Sequence, residues 1–286
     1  MSKLLQVARR TNNLAFPNDA LWLYIGHQKV GLVPAIVVSH LRSTPLFTVT
    51  NDRVDMLGDS CDKRSKDMND LLCKWRAGKI FKTLGGWRNE LFRVYGESGA
   101  CLLEIERSGI LLFGFRSFGC HLNGYTASGK MWVQRRSKTK QTWGGFLDNI
   151  VGGGLGFGLP TANMQKECWE EAGISKELSA CVKSAGCVSF WYASEGWTAH
   201  TEYTFDLLVP ESFIPKPIDG EVDSFHLLDE KQVTEKLINH EFTPESSAVI
   251  LDFMIRHGKI DADTEPLIAI MDQIHVSFPF PYPVHK

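Results

Sequence analysis

Residues 152–174 read GGGLGFGLPTANMQKECWEEAGI, and this stretch decides the fold. It has a glycine-rich turn, a short loop and then a helix. Thr161 is a suitable N-cap, residues 164–172 are mostly good helix formers, and Gly173 fits the position just past the helix end. At helical pitch Glu167, Glu170 and Glu171 stand at i, i+3 and i+4, so they share an arc of about 100°. Met164, Cys168 and Ala172 fall on the neighbouring arc and supply an apolar face. Lys166 can pair with Glu170, but one cation does not balance three anions. A hard divalent ion does, because Mg²⁺ binds carboxylate oxygens and keeps water and phosphate as its other ligands. The preceding glycines allow backbone to approach a ligand closely. The competing reading of the helix alone is a solvated acidic face.

The spacing resembles the Nudix box, G-x5-E-x7-R-E-U-x-E-E-x-G-U, where U is a bulky apolar residue. Gly152 takes the first glycine, Glu167 the first helix glutamate, Glu170 and Glu171 the pair, and Gly173 and Ile174 the close. Gly158 stands where the first glutamate belongs, Lys166 replaces the arginine, and Cys168 fills the first apolar position. The resemblance implies an α/β (α+β) fold, a Nudix α/β/α sandwich with a mixed sheet. The change of character from Gly119 places it over residues 119–286, after a smaller N-terminal α/β domain over 1–118.

The chain has 286 residues and a net charge of −2, with 31 basic and 33 acidic side chains. That balance argues against nucleic acid or an anionic membrane surface as a partner. No apolar run reaches transmembrane length. The seven cysteines are scattered without a C-x-x-C pair, which fits reduced thiols and a cytoplasmic setting, with organellar import left open. The opening MSKLLQVARRTNN carries three basic residues and no acid. It reads either as a transit peptide or, preferred here, as a short docking helix ending at Asn12 and Asn13.

In the first third, residues 21–25 and 30–33 read as a hairpin, 34–41 as a short helix, and 46–49 and 53–56 as strands. Residues 66–79 form a helix, with Met68, Leu71, Leu72 and Trp75 at helical intervals. Residues 101–118 are ambiguous between helix and strand and are expected to link the domains. HLNGYTASGKMWVQRRS reads as a hairpin turning at Gly129 and Lys130, with Arg135 and Arg136 at its end. These two arginines and Lys138 suit a diphosphate, against the alternative of plain surface charge. Residues 185–193 and 200–209 read as strands separated by an aromatic stretch with Phe190, Trp191, Tyr192 and Trp197. Those rings suit either a core or a stacking platform for a heteroaromatic substrate. Asp219 and Gly220 form a turn, Glu221 is a fourth candidate carboxylate, Asp229 caps a helix to Leu237, and Thr243 with Pro244 opens another that Gly258 stops. The final HVSFPFPYPVHK is expected to be extended.

Several segments resemble one Nudix subfamily with an extra N-terminal domain, the thiamine-pyrophosphokinase-related group. They are HLNGYTASGKMWVQRRSKTKQTWGGFLDNIVGGG, KECWEEAGI, TEYTFDLLVPESFIPKPIDGEV and AVILDFMIRHGKI, with LLQVARRTNN and IGHQKVGLV in the first domain. This resemblance implies a Mg²⁺-dependent diphosphatase, with Mn²⁺ as a substitute, acting on thiamine diphosphate or its oxidised and damaged analogues. It implies no kinase activity, since no G-x-x-x-x-G-K-[ST] occurs. In this reading Glu167, Glu170, Glu171 and a carbonyl near Gly152 hold metal. Glu167 or Glu221 takes the proton of water, Lys166 orients a glutamate, Arg135, Arg136 and Lys138 bind phosphate, and Trp191 contacts the organic half. Two rivals remain: an isopentenyl-diphosphate-isomerase-like enzyme using Cys120 or Cys187, and a non-catalytic binding protein in which Gly158 marks a lost site.

Overall fold

A computed structural model of the chain describes residues 2–194 and 196–284; Met1, Glu195 in the aromatic stretch, and His285 and Lys286 at the end of the extended tail lie outside them. In chain order the first elements are α1 (Lys3–Thr11), β1 (Leu21–Ile25), β2 (Gln28–Val33), α2 (Ala35–Leu41), β3 (Phe47–Val49), β4 (Arg53–Met56) and α3 (Cys61–Ala77). A hairpin of β5 (Leu91–Tyr95) and β6 (Cys101–Glu106) follows, then the short α4 (Ile110–Phe113). The ambiguous stretch 101–118 thus resolves into strand, helical turn and strand. Next come β7 (Arg116–Tyr125), β8 (Met131–Arg136), β9 (Leu147–Asn149), β10 (Val151–Gly154), α5 (Pro160–Ala172) and α6 (Lys176–Ser179). The last elements are β11 (Lys183–Ala193), β12 (Trp197–Leu208), β13 (Val222–Leu228), α7 (Glu230–Ile238), α8 (Pro244–Arg256) and α9 (Leu267–Ile274). The fold is mixed α/β, as expected. The helix α9 has no counterpart in the sequence reading.

The chain forms two compact units: 1–12 with 118–190 and 201–276, and 13–117 with 191–200 and 277–286. This division differs from a single cut at 118/119. In the first unit α1 is capped by Ser2, whose hydroxyl accepts the Leu5 N–H at 3.0 Å. It buries Leu4, Leu5, Val7 and Ala8 while packing on α8 and α9. An amphipathic first helix has to bury its stripe wherever a partner is found, and here the partners come from the far end of the sequence.

The first unit is built on a seven-stranded sheet ordered β11-β12-β7-β8-β13, with β10 paired to β7 and β9 to β8. The β7–β8 hairpin turns as expected: Gly129 N–H donates to Thr126 O at 3.0 Å. Asp229 and Gln232 form a reciprocal cap on α7, and Thr243 caps α8 with Pro244 in its first turn. α8 is buried along most of its length, from Ser246 to Met254, because its residues are apolar or small on nearly every face.

The second unit has a four-stranded sheet ordered β2-β1-β4-β3, in which β1 and β4 run parallel and the other pairs antiparallel. Its core is apolar: Leu23, Val54, Met68, Leu72, Leu103, Phe113 and Phe115 are essentially inaccessible. Each such side chain contributes about 1.5–3 kcal/mol by leaving water.

Candidate active site

α5 starts at Pro160, with Leu159 as the cap residue and no side-chain capping bond. Thr161 therefore lies inside the first turn and is not the N-cap. Proline takes the first position because its fixed φ suits a helix and its missing N–H would have no partner there. The helix ends at Gly173, whose N–H donates to Trp169 O at 3.1 Å.

Met164, Cys168 and Ala172 are fully buried, as their spacing predicts. That stripe fixes the rotation of α5 and splits the three glutamates. Glu171 is drawn inside and is 3% exposed. Its Oε2 accepts the Gly152 N–H at 2.9 Å and Nε2 of Gln134 at 3.2 Å. Burial pushes its carboxyl up to about 8, against the pull of the Gly152 N–H. Glu167 is half-buried, and burial raises its pKa, with Lys166 pulling down and Glu170 and Glu221 pushing up. Glu170 faces outward and is bonded to Lys166 Nζ at 2.8 Å; the same Nζ is 3.7 Å from Glu167.

The glycines before α5 serve close approach. A Cβ on Gly152 would meet the His121 ring at 2.8 Å, and one on Gly153 would meet the Glu167 carboxyl at 3.0 Å. Gly152 meets Glu171 through its amide N–H. Gly158, in place of the first box glutamate, is exposed at φ +97 with open space around it.

The turn before β13 supplies further carboxylates. Asp219 Oδ1 accepts the Glu221 N–H at 2.8 Å, and Gly220 between them takes φ +79, a region that side-chain-bearing residues rarely enter. One carboxylate oxygen from each of Glu171, Asp219 and Glu221 can be chosen so that all three lie within 4.8 Å of one another. Lys140 forms an ion pair with Glu221, and Ser137 N–H donates to the Glu221 carbonyl at 2.8 Å. The sequence marks Asp219 only as a turn residue and does not single out Lys140 or Gln134. The Asp219–Gly220 turn carried a signal, two carboxylates flanking a glycine. Gln134 and Lys140 carried none.

The basic residues separate. Arg135 and Arg136 are adjacent on a strand and so point to opposite faces. Arg136 is mostly buried, and its guanidinium donates to Asp148 Oδ2 at 2.6 Å. That ion pair, not a phosphate clamp, is its place here. Arg135 donates to Gly145 O at 2.8 Å, and Lys138 is exposed. Trp191 is also corrected: it is 4% exposed in the second unit, where Phe16, Phe278 and Phe280 meet it edge-on at 5.1, 5.2 and 5.6 Å. Trp197 is buried too and donates its indole N–H to Leu32 O. These rings are core, the commoner fate of aromatic side chains.

A buried polar network adjoins the glycine strand. Asp148 accepts from Arg136 and from the Ser246 hydroxyl and lies 3.5 Å from His121. Burial works to raise its carboxyl, but Arg136, His121 and Ser246 outweigh it and hold it below the usual range. His121 also lies 3.5 Å from Glu202 and 2.9 Å from Asn149 Oδ1. Burial opposes its charge, yet Glu202 and Asp148 raise its pKa. Cys120 is fully buried, and burial followed by the field of Glu202 drives its thiol strongly up, away from nucleophilic character.

The donor set suits a hard divalent cation. Three carboxylates supply oxygen ligands, and Gln134 Oε1, buried one hydrogen bond away from Glu171, has no hydrogen-bond partner among the described residues.

A family model described as a domain of unknown function, DUF4743, matches residues 3–117. Nudix hydrolase 24, chloroplastic, from Arabidopsis thaliana is 40% identical over 272 residues, covering 90% of this chain and 73% of the relative. The uncharacterized protein YJR142W of Saccharomyces cerevisiae is 35% identical over 240 residues, covering 77% of this chain and 70% of that protein. Among solved structures, DR0079 from Deinococcus radiodurans aligns at TM-score 0.43 and 15% identity, over 57% of this chain and 98% of that one. With a curated Nudix relative matched over most of both lengths, and the box helix, glycine bend and carboxylates assembled in one unit, the chain belongs to the Nudix hydrolase family and is a Nudix diphosphatase.

Proposed function

We propose that this enzyme hydrolyses the diphosphate bond of thiamine diphosphate, or of its oxidised or damaged analogues, giving the monophosphate and inorganic phosphate with Mg²⁺ as cofactor and Mn²⁺ as a substitute. The observation that carries the reading is the convergence of Glu171, Asp219 and Glu221 from a helix and a distant turn. Those carboxylates would hold the cation, with Glu167 and Glu170 on the same helix and the Gly152 region at its edge. A bound divalent cation neutralises diphosphate charge and acidifies water. Glu167 or Glu221 would accept the proton of the attacking water. Lys166 holds Glu170 in place and lies near Glu167. Arg135 and Lys138 would contact phosphate oxygens, since Arg136 is committed to Asp148 and Lys140 to Glu221. The thiamine assignment rests on the subfamily resemblance of the sequence.

Two features weigh against the isomerase reading. Cys120 is a buried, poorly ionisable thiol, and Cys187 is exposed on β11. The proposed setting is cytoplasmic, with the organelle in the Arabidopsis relative's name as the alternative. Among the described residues no helix is long and apolar enough to cross a membrane.

The test is phosphate release with Mg²⁺ across thiamine diphosphate, its oxo and oxy analogues, ADP-ribose and isopentenyl diphosphate. Release from thiamine-type diphosphates in preference to the others is expected. Isomerisation without phosphate release, or binding with no release from any diphosphate, would overturn the proposal.

A further inference from the structure

We infer that Gln134 is a positioning residue for the cation site, which selects the oxygen of Glu171 that faces the cation. This rests on the Glu171–Asp219–Glu221 reading above. Gln134 is 1% exposed on β8, and its Nε2 donates to Glu171 Oε2 at 3.2 Å. The Gly152 N–H donates to the same oxygen at 2.9 Å. Two donors on Oε2 occupy the lone pairs of that atom, which leaves Oε1 as the ligand atom. A ligand carboxylate held this way keeps one orientation, and losing such a partner commonly weakens metal affinity 10- to 100-fold. The amide oxygen of Gln134, Oε1, has no hydrogen-bond partner among the described residues, although it is buried. A buried acceptor without a donor costs stability, so the position keeps glutamine for its amide N–H to Glu171.

The experiment is calorimetric titration of the full chain with Mg²⁺ alone, for wild type, Gln134→Leu, Gln134→Glu and Glu171→Gln. Gln134→Leu keeps the volume and removes the donor; its Mg²⁺ affinity is expected to fall at least 10-fold. Excess Mg²⁺ should restore most of the hydrolysis. Gln134→Glu keeps the shape, puts an acceptor against Oε2 and should lower affinity further; it serves if the leucine variant fails to fold. A folded Gln134→Leu or Gln134→Glu protein with Mg²⁺ affinity within twofold of wild type overturns the inference while leaving the cation site intact. If Glu171→Gln also binds Mg²⁺ normally, the site reading itself falls, and this inference with it.

In the second unit, a separate observation points to a thiol pair. Cys61, in the first turn of α3, and Cys101, at the start of β6, place their Sγ atoms 3.0 Å apart. A disulfide bond is about 2.0 Å long, so the two sulfurs need to close by only about 1 Å. We infer that Cys61 and Cys101 form a reversible disulfide when a small-molecule disulfide is present. Cys61, at a helix N-terminus, attacks that disulfide as its thiolate and releases one thiol; Cys101 then displaces the second. The protein loses two hydrogens and the reagent gains them. Burial, then the neighbouring Cys61, pushes Cys101 up to about 12, so the second, resolving step is slowed at neutral pH and depends on the short distance between the sulfurs.

Treatment of the purified chain with glutathione disulfide should give a linked peptide pair containing Cys61 and Cys101, and a rise of several degrees in unfolding temperature. Cys61→Ser and Cys101→Ser should each lose both. A product carrying glutathione on Cys61 or Cys101 with no linked pair, or no reaction at either thiol, overturns the inference.

Discussion

The two units bury different chemistry. The second packs Leu23, Met68, Leu72, Phe113 and Phe115 into an apolar core, with Arg64 and Glu106 among its few buried charged groups. The first buries His121, Asn123, Gln134, Asp148, Asn149, Glu171 and Glu202. Burying such groups costs stability unless each is paired, and a fold keeps them where they act on a ligand or hold something that does. The apolar core tells what stabilises the chain. The polar one tells where its chemistry lies.

Glu171→Gln should separate these roles most sharply. Phosphate release with Mg²⁺ should fall at least about 100-fold, since a ligand matters more than the partners that orient it. The unfolding temperature should hold, because burial raises the Glu171 carboxyl to about 8 and it is already largely uncharged at neutral pH. Activity within tenfold of wild type would remove the polar core from the mechanism.

Asp148→Ala leaves Arg136 buried without its partner and should cost about 3–5 kcal/mol in denaturant unfolding. Leu72→Ala in the second unit should cost about 2–5 kcal/mol through the cavity it leaves, yet leave Mg²⁺ affinity unchanged. Altered metal affinity in Leu72→Ala would blur the contrast.

The units should also differ in acid. Asp148 titrates below its ordinary value of 3.8 in the folded chain, so its stabilising effect is complete above that value and is lost as the pH falls through the folded one. Unfolding midpoints measured from pH 6 down to pH 2 should drop in wild type, chiefly below pH 4, and drop less in Asp148→Asn. Equal slopes would show that Asp148 is not the acid-labile element.

The smallest effect belongs to the half-exposed pair Arg93–Glu104 in the second unit, 2.8 Å apart. Glu104→Gln should change stability by no more than about 1 kcal/mol, and less in high salt.

Local chemistry was legible in the sequence. The stripe Met164, Cys168, Ala172 predicted the buried face of α5, and the caps at Asp229 and Thr243 predicted two helix starts, because these depend on neighbours three or four residues away. The start of α5 was misplaced because Thr161 competes with Pro160, and a fixed φ at the first position prevailed. The arginine pair read as a clamp because sequence cannot tell which face of a strand finds a carboxylate. The aromatic stretch stays open between core and platform in the sequence, and Trp191 reads as a substrate contact, because its partners, Phe16, Phe278 and Phe280, come from both ends of the chain.

The sequence by itself determined that one helix, entered through a glycine bend, would carry an apolar stripe beside clustered carboxylates, since a 3.6-residue period leaves no other arrangement. Only the tertiary structure decided that Glu171 turns inward while Glu170 stays out, that Asp219 and Glu221 join it, and that Gln134 holds it. Those contacts span tens of residues, and sheet packing sets them through the rotation of α5 and the pleat of β8.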